Sequence, residues 1–315
     1  MRIAVNGWFW RQMTTGSGQY LSALLARLPE IGREHELLLV RPASAERPDA
    51  TSRPAGWQWV DVRPASRFLG RRLGKVWFEQ VTFPRACRRL RADVALVPYW
   101  GAPWWQPCPV AVTVHDLIPL LLPPYRGGTA QRLYTRLVSG TARRAAAVLT
   151  DSAASRRDIL DRLHLPPGRV HAIHLAAPPG FAPVTDEAAL GRVRQRYALP
   201  AAPFFLYLGG YDNRKNVVRL LEAYARLANN HPEAPPLVLA GILPEHDTPF
   251  APDPRPVAAR LGIAPRLCYP GWIAEEDKPA LYSLALGALF VSEYEGFGLP
   301  VLEAQACGCP VIAAR

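Results

Sequence analysis

The sequence predicts an α/β chain folded as two parallel-sheet domains. Three observations predict it: short β-branched apolar runs alternate with helix-periodic segments, the alternation runs through two separate series, and a Pro/Gly-rich stretch divides them. The first series of expected strands is Arg2–Asn6, Glu36–Val40, Gln58–Val62, Asp93–Val97, Val110–His115, Ala147–Thr150 and Val170–His174. The second is Phe204–Leu208, Leu237–Ala240, Leu267–Tyr269 and Ala288–Val291. Between them Ala176-Ala177-Pro178-Pro179-Gly180-Phe181-Ala182-Pro183 continues neither element type and reads as a linker, with domains at 1–178 and 184–315. Apolar residues at three- and four-residue spacing predict helices over Gln19–Leu28, Gln131–Ala145, Ser152–Leu163, Asn216–Leu227 and Pro300–Cys307. Ser152 suits an N-cap and Pro300 a first helical position.

At 315 residues and 49% hydrophobic content, the chain is long enough for two buried cores. No apolar run reaches the roughly 18–20 residues that span a bilayer, and the start MRIAVNGWFW lacks the basic region and cleavage site of a signal peptide, so a cytoplasmic protein is expected. The five cysteines form no C-x2-C pair and are expected to be reduced thiols. Charge is unevenly placed: residues 1–150 hold 21 Lys+Arg against 9 Asp+Glu, and residues 151–315 hold 16 against 17. Nearly all the excess is arginine, a forked donor suited to phosphate. An anionic partner for the first half follows.

The densest chemistry lies at Ser292-Glu293-Tyr294-Glu295-Gly296-Phe297-Gly298-Leu299-Pro300-Val301-Leu302-Glu303-Ala304. A strand ends, a Gly-rich turn follows and a helix opens, so free backbone N–H groups face the loop and favour an anion. Read alone, Glu295 is a loop charge and Glu303 a solvated helix residue. Two further loops have the same strand-to-helix setting. Leu208-Gly209-Gly210-Tyr211-Asp212-Asn213-Arg214-Lys215-Asn216 combines glycines for close backbone approach with paired cations. Thr14-Thr15-Gly16-Ser17-Gly18-Gln19-Tyr20 offers a shorter Gly-x-Gly turn, without the third glycine of a dinucleotide fingerprint. His115-Asp116 closes an apolar strand at a carboxyl edge, where open α/β sheets bind ligands.

The stretch from Tyr294 to Ala304, continued by Ala306-Cys307-Gly308-Cys309-Pro310-Val311-Ile312, resembles the E-x7-E signature of family 4 retaining glycosyltransferases of the GT-B fold. That resemblance implies two Rossmann-like domains facing a cleft, with a nucleotide-sugar donor as substrate and neither metal nor further cofactor. It implies that Glu295 meets the transferred sugar and Glu303 the ribose, with Phe297, Gly298 and Leu299 as backbone donors. Lys215 matches the family lysine that neutralises the diphosphate, and Gly209 the close-approach glycine. Some members carry arginine where this chain has Gly210, which leaves that contact to Arg214 or another group. Gly16 and Gly18 match a turn facing the donor phosphates, although Ser17 departs from the usual aliphatic residue, and His115 matches a histidine touching the donor sugar or acceptor. Family members continue beyond the Pro-Val-Ile strand, so the second domain is expected to be incomplete here.

GDP-mannose is the favoured donor by resemblance to mannosyltransferase members, a UDP-sugar the alternative, and a glycan or lipid-linked acceptor is expected. No nucleic-acid partner is. Residues 63–91 mix Arg63, Arg67, Arg71, Arg72, Lys75, Arg85, Arg88, Arg89 and Arg91 with Phe68, Leu69, Val76, Trp77, Phe78 and Phe83, a composition that suits an anionic membrane surface or a helix packing its aromatics inward. Trp100, Trp104 and Trp105 are candidates to stack on an acceptor sugar. Three rivals stand beside the transferase: a non-catalytic sugar-nucleotide-binding protein, a phosphorylase-like enzyme with Lys278 as cofactor lysine, and a nicotinamide dehydrogenase.

Overall fold

The computed structural model describes residues 1–13, 15–43, 55–63 and 66–314; the side chains of residues 66–69 and 71 also lie outside what is described, and with them Thr14 and the side chains of Arg67, Phe68, Leu69 and Arg71. The chain forms two compact units, Met1–His174 and Leu175–Arg315. Phe181 and Val184 pack within the second unit, so the Pro-Pro-Gly run belongs to it.

In the first unit the chain runs β1 (Arg2–Asn6), α1 (Gly16–Ile31), β2 (Glu36–Pro42), β3 (Trp57–Val62), α2 (Ser66–Trp77), a π-helical turn (Phe78–Thr82) and α3 (Phe83–Arg89). It continues with β4 (Val94–Val97), β5 (Val110–Thr113), α4 (Ile118–Leu121), α5 (Thr129–Arg144), β6 (Ala147–Thr150), α6 (Ala153–Leu163) and β7 (Val170–Ala172). The seven strands are parallel, in the order β3-β2-β1-β4-β5-β6-β7. Strand order therefore reverses between β1 and β4. Helices on both faces bury the central strands, which is why β2 reads as a continuous apolar run rather than an alternation. On α1, Leu21 and Leu25 are fully buried, and each contributes about 2 kcal/mol by burial. The Ser152 hydroxyl accepts from Ser155 N–H and caps α6 as its sequence position suggests.

The second unit runs α7 (Glu187–Arg196), β8 (Phe204–Leu208), α8 (Val217–Asn230), β9 (Leu237–Ala240), α9 (Pro254–Arg260), β10 (Leu267–Gly271), α10 (Lys278–Leu284), β11 (Ala285–Phe290), α11 (Leu299–Ala306) and β12 (Val311–Ala313). Its five parallel strands lie in the order β10-β9-β8-β11-β12, with the reversal between β8 and β11. Ligands of such sheets bind beyond the carboxyl ends at the reversal point, here flanked by the loops after β8 and β11.

The first unit also holds a buried ion pair. Glu79, in the π-helical turn, is fully buried, with Lys75 Nζ at 2.8 Å and the Tyr134 hydroxyl at 3.0 Å. The ammonium lies over the rings of Phe9, Tyr99 and Tyr134 at 5.6, 5.0 and 4.6 Å. Tyr99 in turn donates to Asn6 Oδ1 at the end of β1. Burial pushes the Glu79 carboxyl up, against the opposing pull of Lys75. The pair joins α2, the π turn, α5 and the loop after β4.

Candidate functional site

In the second unit the sequence-predicted cations and one glutamate meet at the reversal point. After β8 the chain makes a tight turn at Asn213–Lys215, then Asn216 adopts a left-handed backbone (φ 57) that an asparagine tolerates and caps α8, accepting Leu220 N–H on its carbonyl. The helix thus begins at Val217 rather than Asn216, and the turn before it carries Arg214 and Lys215. Lys215 Nζ stands 2.6 Å from Glu295 Oε1, and Arg214 Nη1 stands 2.6 Å from Glu295 Oε2. Arg214 also pairs with Asp212 and donates to the Tyr294 carbonyl. Its own carbonyl accepts Glu293 N–H at 2.7 Å, which ties the two loops together. Burial acts to push the Glu295 carboxyl up, but Lys215, Arg214 and Ser292 together outweigh it and hold it below the ordinary glutamate range.

Gly298 caps α11 in a left-handed conformation (φ 99) that favours glycine, and as the N-cap residue it offers the first-turn N–H groups no side-chain acceptor. Leu299 opens that helix, one residue before the expected Pro300. Phe297 precedes the cap. Gly209 closes β8, its N–H donating to Ala240 O, and the Gly241 backbone approaches so closely that a Cβ there would lie 2.0 Å from Gly209 O. Glu303 is not the solvated helix residue it resembles in isolation: it is 6% exposed, accepts the Tyr282 hydroxyl at 3.2 Å and feels the charge of buried Lys278. Burial pushes its carboxyl up, with Lys278 and Tyr282 pulling the other way. Lys278 itself pairs with Glu275 at 2.5 Å. Glu295, Arg214 and Lys215 are therefore brought into mutual contact, while the contacts of Glu303 are with Tyr282 and the field of Lys278.

In the first unit β5 ends at Thr113, two residues before the expected end, and His115 leaves the ladder at the carboxyl edge. Its Nδ1 lies 2.7 Å from Asp151 Oδ2, and its ring meets Tyr20 edge-on at 4.9 Å. Asp116 instead accepts Ile118 N–H and so organises the loop. Asp151 and Tyr282 were not among the expected site residues, and Lys278 was expected only as the cofactor lysine of a phosphorylase-like enzyme. A signal for Asp151 was present: it follows the strand Ala147–Thr150, beside His115 on the same carboxyl edge. In the Gly-x-Gly turn, a Cβ on Gly18 would lie 2.0 Å from the Gln12 carbonyl oxygen, whereas Gly16 has open space around it. The requirement for glycine at 18 is thus already explained by packing inside the unit.

The aromatic residues of 63–91 divide. Phe78 and Phe83 are buried in the core, which corrects their place in a membrane-facing surface, and Trp77 is exposed. Trp104 and Trp105 are exposed too, under Arg144 at 5.1 Å and Arg88 at 5.9 Å respectively. Arg85, Arg88, Arg89 and Trp105 line an open depression of about 630 Å³. Trp100 packs against the core. No helix among the described residues is long and apolar enough to cross a membrane, and no group of three or more metal-ligating side chains occurs among them.

Two doubly wound parallel units, one with clustered cations, a glutamate and a glycine-capped helix start at its sheet's reversal point, define the GT-B class of α/β proteins. Residues 193–315 match the family described as glycosyl transferases group 1, and residues 14–179 match Glycosyltransferase Family 4. The chain belongs to glycosyltransferase family 4. Over 203 residues it is 32% identical to an O-antigen chain mannosyltransferase B of Escherichia coli, covering 64% of this chain and 52% of that protein, so it spans about half the length of that relative. A GDP-mannose-dependent alpha-(1-6)-phosphatidylinositol monomannoside mannosyltransferase of Mycolicibacterium smegmatis is 27% identical over 95% of this chain and 77% of its own. Among solved structures, a sucrose-phosphate synthase from Thermosynechococcus elongatus superposes with a TM-score of 0.73 at 21% identity, over 99% of this chain and 81% of the other.

Proposed function

We propose that this chain serves a glycosyltransferase that moves a sugar from a nucleotide-sugar donor to a glycan or lipid-linked acceptor, with retention of configuration and without a metal ion. The observation that carries the reading is the contact of Arg214 and Lys215 with Glu295 at the reversal point of the second sheet, beside the glycine-capped start of α11. Two cations within one carboxylate's reach, on a partly buried loop pair, are the charge a leaving nucleoside diphosphate requires. When the diphosphate takes those cations, the Glu295 carboxylate is released to accept hydroxyls of the attached sugar. Glu303, buried beside Tyr282, is read as the ribose contact. In the transfer step the bond from the anomeric carbon to the diphosphate oxygen breaks and the acceptor oxygen bonds to that carbon on the same face. The acceptor's proton passes to the departing phosphate oxygen, so the step calls for no dedicated protein base. GDP-mannose is the preferred donor, supported by relatives named as mannosyltransferases.

The experiment is a panel of nucleotide sugars, GDP-mannose and UDP-glucose among them, incubated with the protein and an acceptor lipid or glycan while nucleotide release is followed. Release with one donor, dependent on acceptor, is the expected result. Binding of the donors without release from any of them would leave the non-catalytic sugar-nucleotide-binding reading in its place. An anionic membrane surface is proposed as a partner of the first unit, through the exposed arginines and indoles of Arg85, Arg88, Arg89, Arg144, Trp104 and Trp105.

A further inference from the structure

Three features of the first unit meet at His115. Its Nδ1 lies 2.7 Å from a carboxylate oxygen of Asp151, whose side chain is 7% exposed. Its Nε2 is buried with no hydrogen-bond partner. Its ring is held edge-on against Tyr20, whose hydroxyl reaches Thr113. A carboxylate accepts hydrogen bonds and cannot donate them, so the proton between Asp151 and the imidazole belongs to Nδ1. The other nitrogen of a neutral ring then carries a lone pair and no hydrogen. A buried acceptor without a donor is costly, of the order of 1–3 kcal/mol, and few native groups are left so. Tyr20 does not relieve it: the Tyr20 hydroxyl lies at Thr113, whose own hydroxyl donates to it at 3.5 Å, and it is the Tyr20 ring that meets the histidine. Burial, helped by the charge of Asp151, pushes the Tyr20 phenol up, so this neighbour stays protonated.

We infer that Asp151 is a positioning residue: it fixes His115 in the tautomer protonated on Nδ1, so that Nε2 accepts a hydrogen bond from a hydroxyl of the bound sugar or acceptor. The hydroxyl donor rests on the transferase reading; the tautomer does not. Asp151 thereby sets which substrate atoms the site accepts, since a hydroxyl can donate to Nε2 and a carbonyl or ether oxygen cannot.

The test pairs a measurement on the free protein with one on turnover. Nitrogen-15 NMR of histidine-labelled wild-type protein is expected to show a pyrrole-type Nδ1 and a pyridine-type Nε2 for His115. In Asp151→Asn the side-chain amide can donate to Nδ1, and the protonated nitrogen is expected to move to Nε2. With the preferred donor, kcat/KM of that variant should fall about tenfold or more, while Asp151→Glu, which keeps a carboxylate, recovers most of the loss. A pyridine-type Nδ1 in the wild type, or Asp151→Asn with both tautomer and kcat/KM unchanged, overturns the assignment. If Asp151→Asn does not fold, the wild-type spectrum and the Asp151→Glu rate still decide it. Absence of turnover with every donor, alongside the expected spectrum, would instead count against the transferase reading and leave the tautomer standing.

Discussion

Glu295 answers two cations at once, and this makes its substitution informative in two directions. In Glu295→Gln the contacts to a bound sugar weaken, and kcat is expected to drop about a hundredfold with the circular dichroism spectrum unchanged. The same change leaves Arg214 and Lys215 without their carboxylate, so the bare nucleoside diphosphate should bind more tightly than to wild type, as calorimetry would register. Equal weakening of donor and diphosphate would contradict the idea that the carboxylate and the phosphates compete for the same cations. Protonation gives a second handle, with opposite signs at the two glutamates. The folded value of Glu295 is lowered from 4.5, so its contribution to stability is whole above pH 4.5 and is lost as the pH falls through the folded value. The folded value of Glu303 is raised from 4.5, so its contribution is whole below pH 4.5 and is lost as the pH rises through the folded value. Urea unfolding over a pH series should therefore lose part of the fall in stability below pH 4.5 in Glu295→Gln, and part of the fall as the pH rises above 4.5 in Glu303→Gln.

Among the elements, the turn between β1 and α1 separates packing from function within three residues. Gly18→Ala drives a methyl into the Gln12 carbonyl and is expected to destabilise the protein by about 2 kcal/mol or more, seen as a lowered Tm. Gly16→Ala meets nothing and should change stability by no more than about 0.5 kcal/mol. If the turn approaches the donor phosphates, Gly16→Ala nonetheless lowers kcat/KM; a variant equal to wild type in both measures would remove Gly16 from the donor site. Element by element, the strands were the most legible part, because central parallel strands such as Leu237–Ala240 are buried on both faces and read as unbroken apolar runs. The helices Glu187–Arg196, Pro254–Arg260 and Lys278–Leu284 were not legible: the first is largely polar, with only Val193 buried, and the other two are seven residues long, too short to display a period. Contacts between loops were legible only in part. The motif around Glu295 and Lys215 was readable, whereas the Asp151 and His115 contact joins residues 36 apart in sequence that share no local pattern.

For the molecule as a whole, charge is the property that composition reveals most directly, and the structure shows where part of it is displayed. Among the described residues Arg85, Arg88, Arg89 and Arg144 have no acidic partner, and two indoles, 52% and 43% exposed, lie among them. Vesicles containing phosphatidylglycerol should retain the protein at low salt and release it at high salt, while phosphatidylcholine vesicles should not retain it. Replacing Arg85, Arg88 and Arg89 together by serine should cut the partition about a hundredfold, and equal partition to neutral vesicles would argue against the surface. The Lys75 and Glu79 pair carries a different consequence. Removing either partner alone strands an ion in the interior, at a cost of about 3–5 kcal/mol, whereas Lys75→Met with Glu79→Met and with Tyr134→Phe, which takes away the hydroxyl bonded to the pair, leaves no charge stranded and should be close to neutral in denaturant titration. Single-substitution surveys would accordingly label both positions as indispensable, when what the interior forbids is only an odd number of charges: lineages can abandon the couple, provided both members leave together.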